Sequence, residues 1–443
     1  MWVEELTLEN IRCFENVTIR FNRRADDPYR WITLLGENAG GKTTMLQSMA
    51  LLLSGHEGAL TLMPRSEGWL REVTRPGKIA LQIHQGAKDK GQAGNIKVAK
   101  SFRFTFNFVG PNLTVRGKKY HEPIIAPDYS QKNVAFLREN VFSSTGGGWF
   151  AAGYGAFRRL SRESRIIVPD LAPQARYTNF ITQFNESEPL SALENVLAYL
   201  EFRIAKDKDE EARRHRELAI DTMNRLLPPL VKFAAITSSG TVFFEVGGIK
   251  VPTTGLSDGF RSILALAGDL FWRLIQAFPK STDPLKEEGV VLIDELDIHL
   301  HPSWQRYIAE WLQTQFPKIQ FIVSTHSPFI AAGAGPEALT YRLSYQDGKT
   351  SVVKAKPIYN FDVDHVLQSD AFGLISTFSP QVETKIQRYD LLSSLGRVRT
   401  LSESAELKLL SEDLGQAVLP FEGTSVEARM NRYILERMNG ASN

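Results

Sequence analysis

Apolar and polar residues alternate along "VEELTLENIRCFENVTIRF" and then turn, which predicts two strands joined across residues 9–17. "WITLLG" is a short apolar strand that runs straight into a glycine-rich loop, and "KTTMLQSMALLLSG" beyond it has the apolar spacing of a helix ending at Gly55. Over residues 56–148 the pattern changes to short alternating runs, such as "KIALQIHQG" and "KSFRFTFNFVG", divided by Gly, Pro and Asn clusters. That predicts an antiparallel β meander. "STGGGWFAAGYGAFRRLSR" reads as a Gly-punctuated strand ending in a basic turn.

The second half alternates more regularly. Residues 190–230 have apolar helical spacing at both ends and a dense charge run between them, "VFFEVGGIKVP" is hairpin-like, and "LSDGFRSILALAGDLFWRLIQAF" is an amphipathic helix. "GVVLIDE" and "IQFIVSTHSP" are buried strands on either side of the helix "PSWQRYIAEWLQTQF", which starts on a proline. Strands alternating with helices in this way predict a parallel sheet. A β hairpin follows, "LTYRLSYQDGKTSVVKA", turning at Asp347 and Gly348, and then helices to the end. Four parts are expected: 1–190, with the glycine loop and the β insertion; 191–250, a short helical lobe and returning hairpin; 251–340; and 341–443, a β hairpin with a helical extension.

Composition narrows the classes. With 43% apolar and 23% charged residues in 443, the chain is globular, and 52 basic against 50 acidic residues give a formal charge of +2. That balance argues against binding nucleic acid mainly by bulk charge, so any such contact must be local. The single cysteine, Cys13, permits no intrachain disulfide and reads as a small apolar residue beside a strand. No apolar stretch approaches the roughly 20 residues of a spanning helix, and the acidic opening lacks the form of a secretory signal. A cytoplasmic protein with no membrane contact is expected.

The glycine-rich loop has the spacing Gly36, four residues, then Gly41, Lys42 and Thr43. Glycines let a backbone curl so that its N–H groups point at a phosphate, a lysine there reaches the β and γ oxygens, and the following hydroxyl takes a place on Mg²⁺. Asn38, Gly40 and Thr44 complete the ATP-binding set read from this loop. The bare pattern occurs by chance in roughly one or two of a hundred chains of this length. Its position between a strand and a helix, whose dipole favours an anion, carries the reading over a plain Gly-rich turn.

"GVVLIDELDIHLHP" delivers Asp294 and Glu295 at the C-terminal end of an apolar strand, where ligands bind in open α/β sheets. With a phosphate loop upstream, Asp294 is read as a Mg²⁺ ligand and Glu295 as the base that takes a proton from the water attacking the γ-phosphate. A polar cap ending a strand is the alternative. "GLSDGFRSILAL" puts Ser257 at a helix start behind Leu256, with Asp258 and Gly259 in the first turn and Arg261 beyond, which alone reads as an N-cap. "IQFIVSTHSP" ends its strand near His326.

In their chain order of loop, signature, Asp-Glu strand and histidine, the four stretches resemble the motif set of ABC-type ATPases, with "LSDGF" similar to the signature motif in the variant form of SMC and RecF-type proteins. The resemblance implies an α/β fold: an ABC-type ATPase head with a mixed β lobe, a short helical lobe and a helical C-terminal extension. It implies that Leu256, Ser257, Asp258 and Gly259 of one subunit close on nucleotide held by another, so that ATP joins heads into a homodimer or higher even-numbered oligomer. His326 would be catalytic beside Glu295, as the switch histidine at the γ-phosphate. The opening is similar to the first hairpin of the RecF, SMC and OLD-type group, which implies a nucleotide contact for Arg12. Asp297, His299 and His301 fall at the family's D-loop, although "HLHP" also reads as a helix start. Where the family has a Q-loop glutamine, Gly153, Tyr154 and Gly155 stand instead.

Only residues 192–230 separate the β lobe from the signature as a helical stretch, so a long coiled-coil arm is excluded. Asp362 and Asp364, the one pair suggestive of a TOPRIM nuclease, follow no long apolar strand and read as a helix N-cap, and the 8 histidines form no nuclease cluster. "GYGAFRRLS", "LIDELDIHLHPSWQ" and "FDVDHVLQSDAFGL" are similar to the PtuA family of ATPase subunits from the bacterial Septu anti-phage system, also found with some retrons. The ATPase of the PARIS system is a near rival. This resemblance implies ATP and Mg²⁺, a separate nuclease effector of HNH type held and regulated by the ATPase, and a trigger that is DNA or phage-derived. The runner-up is a RecF-like DNA repair ATPase that binds duplex DNA without a nuclease partner. Arg158, Arg159, Arg162 and Arg165 stay open between DNA phosphates and solvent; Arg213, Arg214 and Arg216, interleaved with glutamates, read as facing solvent.

Overall fold

Strands β1 (Trp2–Ile11) and β2 (Phe14–Arg20) pair antiparallel with Ile11 opposite Phe14, so the turn is Arg12 and Cys13 rather than the expected residues 9–17. Asn10 and Arg12 take left-handed φ values of 55° and 43°. Asn10 is held there from a distance: its amide donates to the carbonyls of Glu72 and Arg75 at 3.0 Å each, and its oxygen accepts from the Glu72 N–H at 2.8 Å. A short polar side chain with its own bonds makes the left-handed turn tolerable.

β3 (Trp31–Gly36) leads through the glycine loop into α1 (Lys42–Leu62). Contrary to expectation Gly55 does not end this helix; at φ 78° and ψ 170° it kinks it, and the chain resumes to Leu62. Then come β4 (Gly77–His84), β5 (Ser101–Val109), β6 (Ile124–Pro127) and β7 (Ala151–Tyr154). The helical lobe consists of α2 (Leu193–Asp207) and α3 (Glu210–Leu226), followed by β8 (Val231–Ile236), β9 (Val242–Val246) and β10 (Ile249–Pro252). The signature opens α4 (Asp258–Ala277), and after β11 (Gly289–Ile293) come α5 (Pro302–Gln305), α6 (Ile308–Gln315), β12 (Ile319–Ser324) and α7 (Pro328–Gly333). β13 (Leu339–Gln346), β14 (Lys349–Lys354) and α8 (Val363–Gln368) complete a first compact unit, Met1–Gly373. The computed structural model describes all residues except 25, 87–99, 111–113, 116–117, 120–122, 128–148, 159–174, 187–189, 191–192, 228–230, 238–239, 375, 396–398 and 419–443.

A five-stranded antiparallel sheet in the order β6-β5-β4-β1-β2 forms the β lobe, although parts of the expected meander lie outside the described residues. The central sheet runs β7-β11-β12-β3-β13-β14, with only the last pair antiparallel. The 339–354 hairpin therefore completes the central sheet, and the border expected between 340 and 341 falls inside β13. Its alternation foretold strands but not which neighbour they would join.

β11 and β12 are buried along their whole length, as strands covered on both faces must be. Their alternate residues serve two cores. Val291, Ile293, Phe321 and Val323 face the side packed by α4 and the helical lobe, while Val290, Leu292 and Ile322 face α1 and the β lobe. The buried amide of Gln320 ties the two sheets, accepting from the Val3 N–H at 2.7 Å and donating to the Val3 carbonyl at 3.1 Å.

In the helical lobe, Asp209 caps α3 by accepting from the N–H groups of Glu211 and Ala212; the Ala212 amide foremost, and then its partner Arg203, lower the pKa of the carboxyl. Arg213 and Arg216 pair with Glu210 and Glu201. The second unit, Leu374–Asn443, contains α9 (Pro380–Ser394) and α10 (Leu401–Val418), joined by a fork of two 2.8 Å bonds from Arg388 to Glu406. No helix among the described residues is long and apolar enough to cross a membrane.

Candidate nucleotide site

Four parallel strands end side by side: Tyr154 of β7 stands opposite Ile293 of β11, Ile293 opposite Val323 of β12, and Ser324 opposite Leu34 of β3. The residues that follow each strand therefore meet at one edge of the sheet. These are Gly155 to Arg158, Asp294 and Glu295, Thr325 and His326, and the glycine loop. Motifs far apart in sequence become neighbours because parallel strands all open at the same end.

The loop curls with Ala39 at φ 63° and Gly41 at φ 92°. A Cβ on Gly41 would lie 2.6 Å from Cys13 Sγ and 2.5 Å from the Phe14 ring, so the β1–β2 turn presses on the helix start and only glycine fits between. α1 begins with no side-chain cap and no acidic residue in its first turn, leaving its first amides and positive dipole end to an anion. Lys42 Nζ donates to the carbonyls of Gly36 at 2.8 Å and Glu37 at 3.0 Å, which folds the loop around its ammonium. Burial lowers the Lys42 pKa, against the pull of Asp294, Glu295 and Asp297.

Arg12, Cys13, Asn38, Ala39, Gly40, Gly41, Lys42, Thr43, Thr44 and Glu295 line a cleft of about 380 Å³. Arg12 spreads its guanidinium 4.2 Å above the Trp69 ring and points Nη1 at Thr44 Oγ1, 3.3 Å away; burial lowers its pKa. Thr43 is exposed and Thr44 buried, so the two hydroxyls of the first turn face different surroundings. Gly36, Asp294 and His326 do not line the cleft; Gly36 packs against the Leu343 backbone, Asp294 is buried beside the cleft, and His326 is exposed one residue past Thr325.

Ser324 organises the acidic pair. Its hydroxyl donates to Asp294 Oδ1 and accepts from the Glu295 N–H at 2.8 Å. Glu295 takes a left-handed φ of 47°. Asp297 fixes the switch loop, its Oδ1 accepting from Thr325 Oγ1 at 2.5 Å and from the His326 N–H at 3.1 Å. The Thr43 hydroxyl and the Asp294 carboxylate are the oxygen donors suited to Mg²⁺ here, and an oxygen set is what that ion takes.

None of Leu256, Ser257, Asp258 and Gly259 lines the cleft of its own chain. Ser257 occupies the N-cap position of α4 without a side-chain capping bond, so the capping reading fails, and Asp258 pairs with Arg261 at 3.3 Å. His301 does cap α5, accepting from the Ser303 N–H at 3.3 Å, as its helix-start reading required. Asp362 caps α8 in the same way.

Arg158 departs from both of its readings. It is 5% exposed, and its guanidinium reaches backbone carbonyls behind Asp294, so it faces neither solvent nor DNA. Arg159, Arg162 and Arg165 lie outside the described residues. Near the expected Q-loop, Gln183 packs against Gly153, and its carbonyl accepts from the Gln47 amide at 2.8 Å. One residue along β7, Tyr154 lies against the buried pair of Asp269 and Arg273 on α4, whose Nε–Oδ2 distance is 2.5 Å. Burial and the Asp269 charge push the Tyr154 hydroxyl well above its ordinary pKa.

A family model described as "AAA domain, putative AbiEii toxin, Type IV TA system" matches residues 32–332, which include the phosphate loop, the signature, the acidic pair and His326. Among curated proteins, the chain is 27% identical over 404 residues to the Septu protein PtuA of Bacillus mycoides, covering 89% of this chain and 48% of that one. It is 46% identical over 83 residues to the Retron Vc95 probable ATPase of Vibrio cholerae, covering 19% and 16% of the two chains. The chain thus spans about half the length of the first relative and less of the second. The Smc head domain of Pyrococcus furiosus superposes with a TM-score of 0.47 at 14% identity, covering 80% of this chain and 96% of that one.

Proposed function

Because the chain belongs to the AAA domain family described as putative AbiEii toxin, type IV TA system, we propose that it binds ATP and Mg²⁺ and hydrolyses ATP as the regulatory subunit of an anti-phage complex. One observation carries the chemical part: an uncapped helix start with Lys42 folded into its loop faces Glu295 across a single cleft.

The amides of the loop bind the β-phosphate and the Lys42 ammonium the β and γ oxygens, where its charge opposes charge developing in transfer. Thr43 and Asp294 would hold Mg²⁺, which when bound neutralises phosphate charge. Glu295 accepts a proton from the attacking water, and His326 contacts the γ-phosphate. Arg12 borders the nucleotide. Leu256, Ser257, Asp258 and Gly259 serve a second copy: none of them lines its own cleft, and the exposure of Ser257 and Asp258 supports a composite site between two heads, hence an even-numbered assembly.

The names of the Septu and retron relatives support a defence role, in which ATP-joined heads hold a separate HNH-type nuclease until a DNA or phage-derived signal arrives. The RecF-like repair reading remains the second, distinguished by tight, salt-dependent duplex binding without a partner. The test is native mass spectrometry of the tagged Glu295→Gln chain, purified with ATP, Mg²⁺ and its genomic neighbours. A stoichiometric second protein on an even-numbered ATPase is expected. A bare monomer that neither binds ATP nor carries a partner overturns the proposal, and a bare dimer that binds DNA favours the repair reading.

A further inference from the structure

The Asp294–Leu296 turn has its backbone polar groups divided between two neighbouring strands. On the β12 side, Ser324 takes two of its N–H groups: the hydroxyl accepts from Glu295 at 2.8 Å and the carbonyl accepts from Leu296 at 3.0 Å, while the Asp294 N–H donates to the Tyr154 carbonyl of β7 at 2.8 Å. On the β7 side, one guanidinium reaches all three of its carbonyls, of which that of Glu295 also accepts from the Ile298 N–H at 3.1 Å. Arg158 Nη1 donates to the Asp294 carbonyl at 2.8 Å, and Nη2 donates to the carbonyls of Glu295 at 2.9 Å and Leu296 at 3.3 Å. Nη1 also reaches back to the Gly155 carbonyl at 3.2 Å, tying the arginine to its own strand end.

Three successive carbonyls converging on one point repel one another and occur in neither a helix nor a strand. A rigid, planar cation with several donors satisfies all three at once, which an ammonium or an amide does less completely. Within this turn Glu295 sits at φ 47°, a conformation that non-glycine residues adopt rarely and that surrounding contacts must hold. The cation lies close to the carboxylates of Asp294, Asp297 and Glu295, which offset its charge with no direct salt bridge among the described residues, and burial brings its pKa down to about 10.

The geometry points to Arg158 as a positioning residue that sets the Glu295 turn, and so aims the carboxylate at the cleft without itself touching nucleotide. This rests on the ATPase reading above and deepens it. Its place next to β7 also means that the loop leaving this strand acts on the acidic pair through a guanidinium rather than through a side-chain amide.

The experiment compares the full chain with Arg158→Gln and Arg158→Lys, each alone and combined with Glu295→Gln, measuring turnover at saturating ATP and the Kd of a fluorescent ATP analogue. Arg158→Gln is expected to lower kcat about 10- to 100-fold while Kd moves less than about threefold, since a misaimed base costs rate and not binding. Arg158→Lys keeps part of the rate because an ammonium still donates to some of the carbonyls. On the Glu295→Gln background the loss from Arg158→Gln shrinks below about threefold, because two residues acting through one group do not add. Unchanged kcat in a folded Arg158→Gln chain, a parallel loss of binding and rate, or full additivity with Glu295→Gln overturns the inference while leaving ATP hydrolysis standing. Absence of turnover in the unsubstituted chain overturns both. If Arg158→Gln does not fold, Arg158→Lys decides the matter by the same readouts.

Discussion

Gly259 sits so close to the carbonyl oxygen of His299 that a Cβ on it would stand 2.7 Å away. The start of the signature helix and the loop after the acidic strand are therefore in direct contact within a subunit, a contact extended by the edge-on approach of Phe260 and Trp304 at 5.0 Å. In Gly259→Ala one of the two backbones must give way, at about 1–3 kcal/mol for an overpacked contact. The expected outcome is ATP binding by the monomer within about twofold of the parent, with turnover and ATP-dependent association reduced at least about tenfold. Turnover at the parent rate would show that the contact is not transmitted.

Asp269 is fully buried and paired with Arg273, which also donates to Asn179 Oδ1 at 2.5 Å. Asp269→Ala strands a buried guanidinium and should destabilise the chain by about 3–5 kcal/mol. An apolar double replacement, Asp269→Leu with Arg273→Met, should recover most of that loss. Denaturant titration of the three chains checks both halves; a mild loss in the single variant would mean that water reaches the pair.

His215, 3% exposed on α3, has its pKa lowered from 6.5 by burial. The unfolded chain takes up the proton first as pH falls, so between the unfolded and folded pKa values it holds more protons than the folded chain does. Stability is flat above about pH 6.5 on this account and declines below it, by at most about 1.4 kcal/mol per pH unit. Thermal melts between about pH 7.5 and pH 5.5 should slope less for His215→Leu than for the parent, and equal slopes would assign the acid sensitivity elsewhere.

Arg12 holds its place through the Trp69 face and Thr44. Removing it in Arg12→Ala should weaken ATP affinity about tenfold, comparable to one charged hydrogen bond, with kcat at saturation largely kept. Isothermal titration against steady-state rates separates the two, and a kcat loss with unchanged affinity would reassign Arg12 to the chemical step.

What could be read from the sequence was what is local. The phosphate loop lies between its own strand and helix, and Asp294 and Glu295 follow a run of five buried apolar residues, so periodicity and spacing suffice. Arg158 escaped because its partners are backbone carbonyls 136 to 138 residues away, which carry no residue identity to match. Gly55 looked like a stop because helical spacing cannot distinguish a kink from an end. Asn10 drew the first turn tight through bonds to residues 62 and 65 positions on, beyond any local window.

The pairing of β13 with β3 brings Leu343 opposite Gly36, against the floor of the phosphate loop. On a ribosome adding about 5–20 residues per second, that floor emerges tens of seconds after the loop it supports. The nascent chain thus exposes a phosphate motif well before it owns a nucleotide site, and a fragment cut before residue 339 would carry every motif yet lack the strand that backs the first of them.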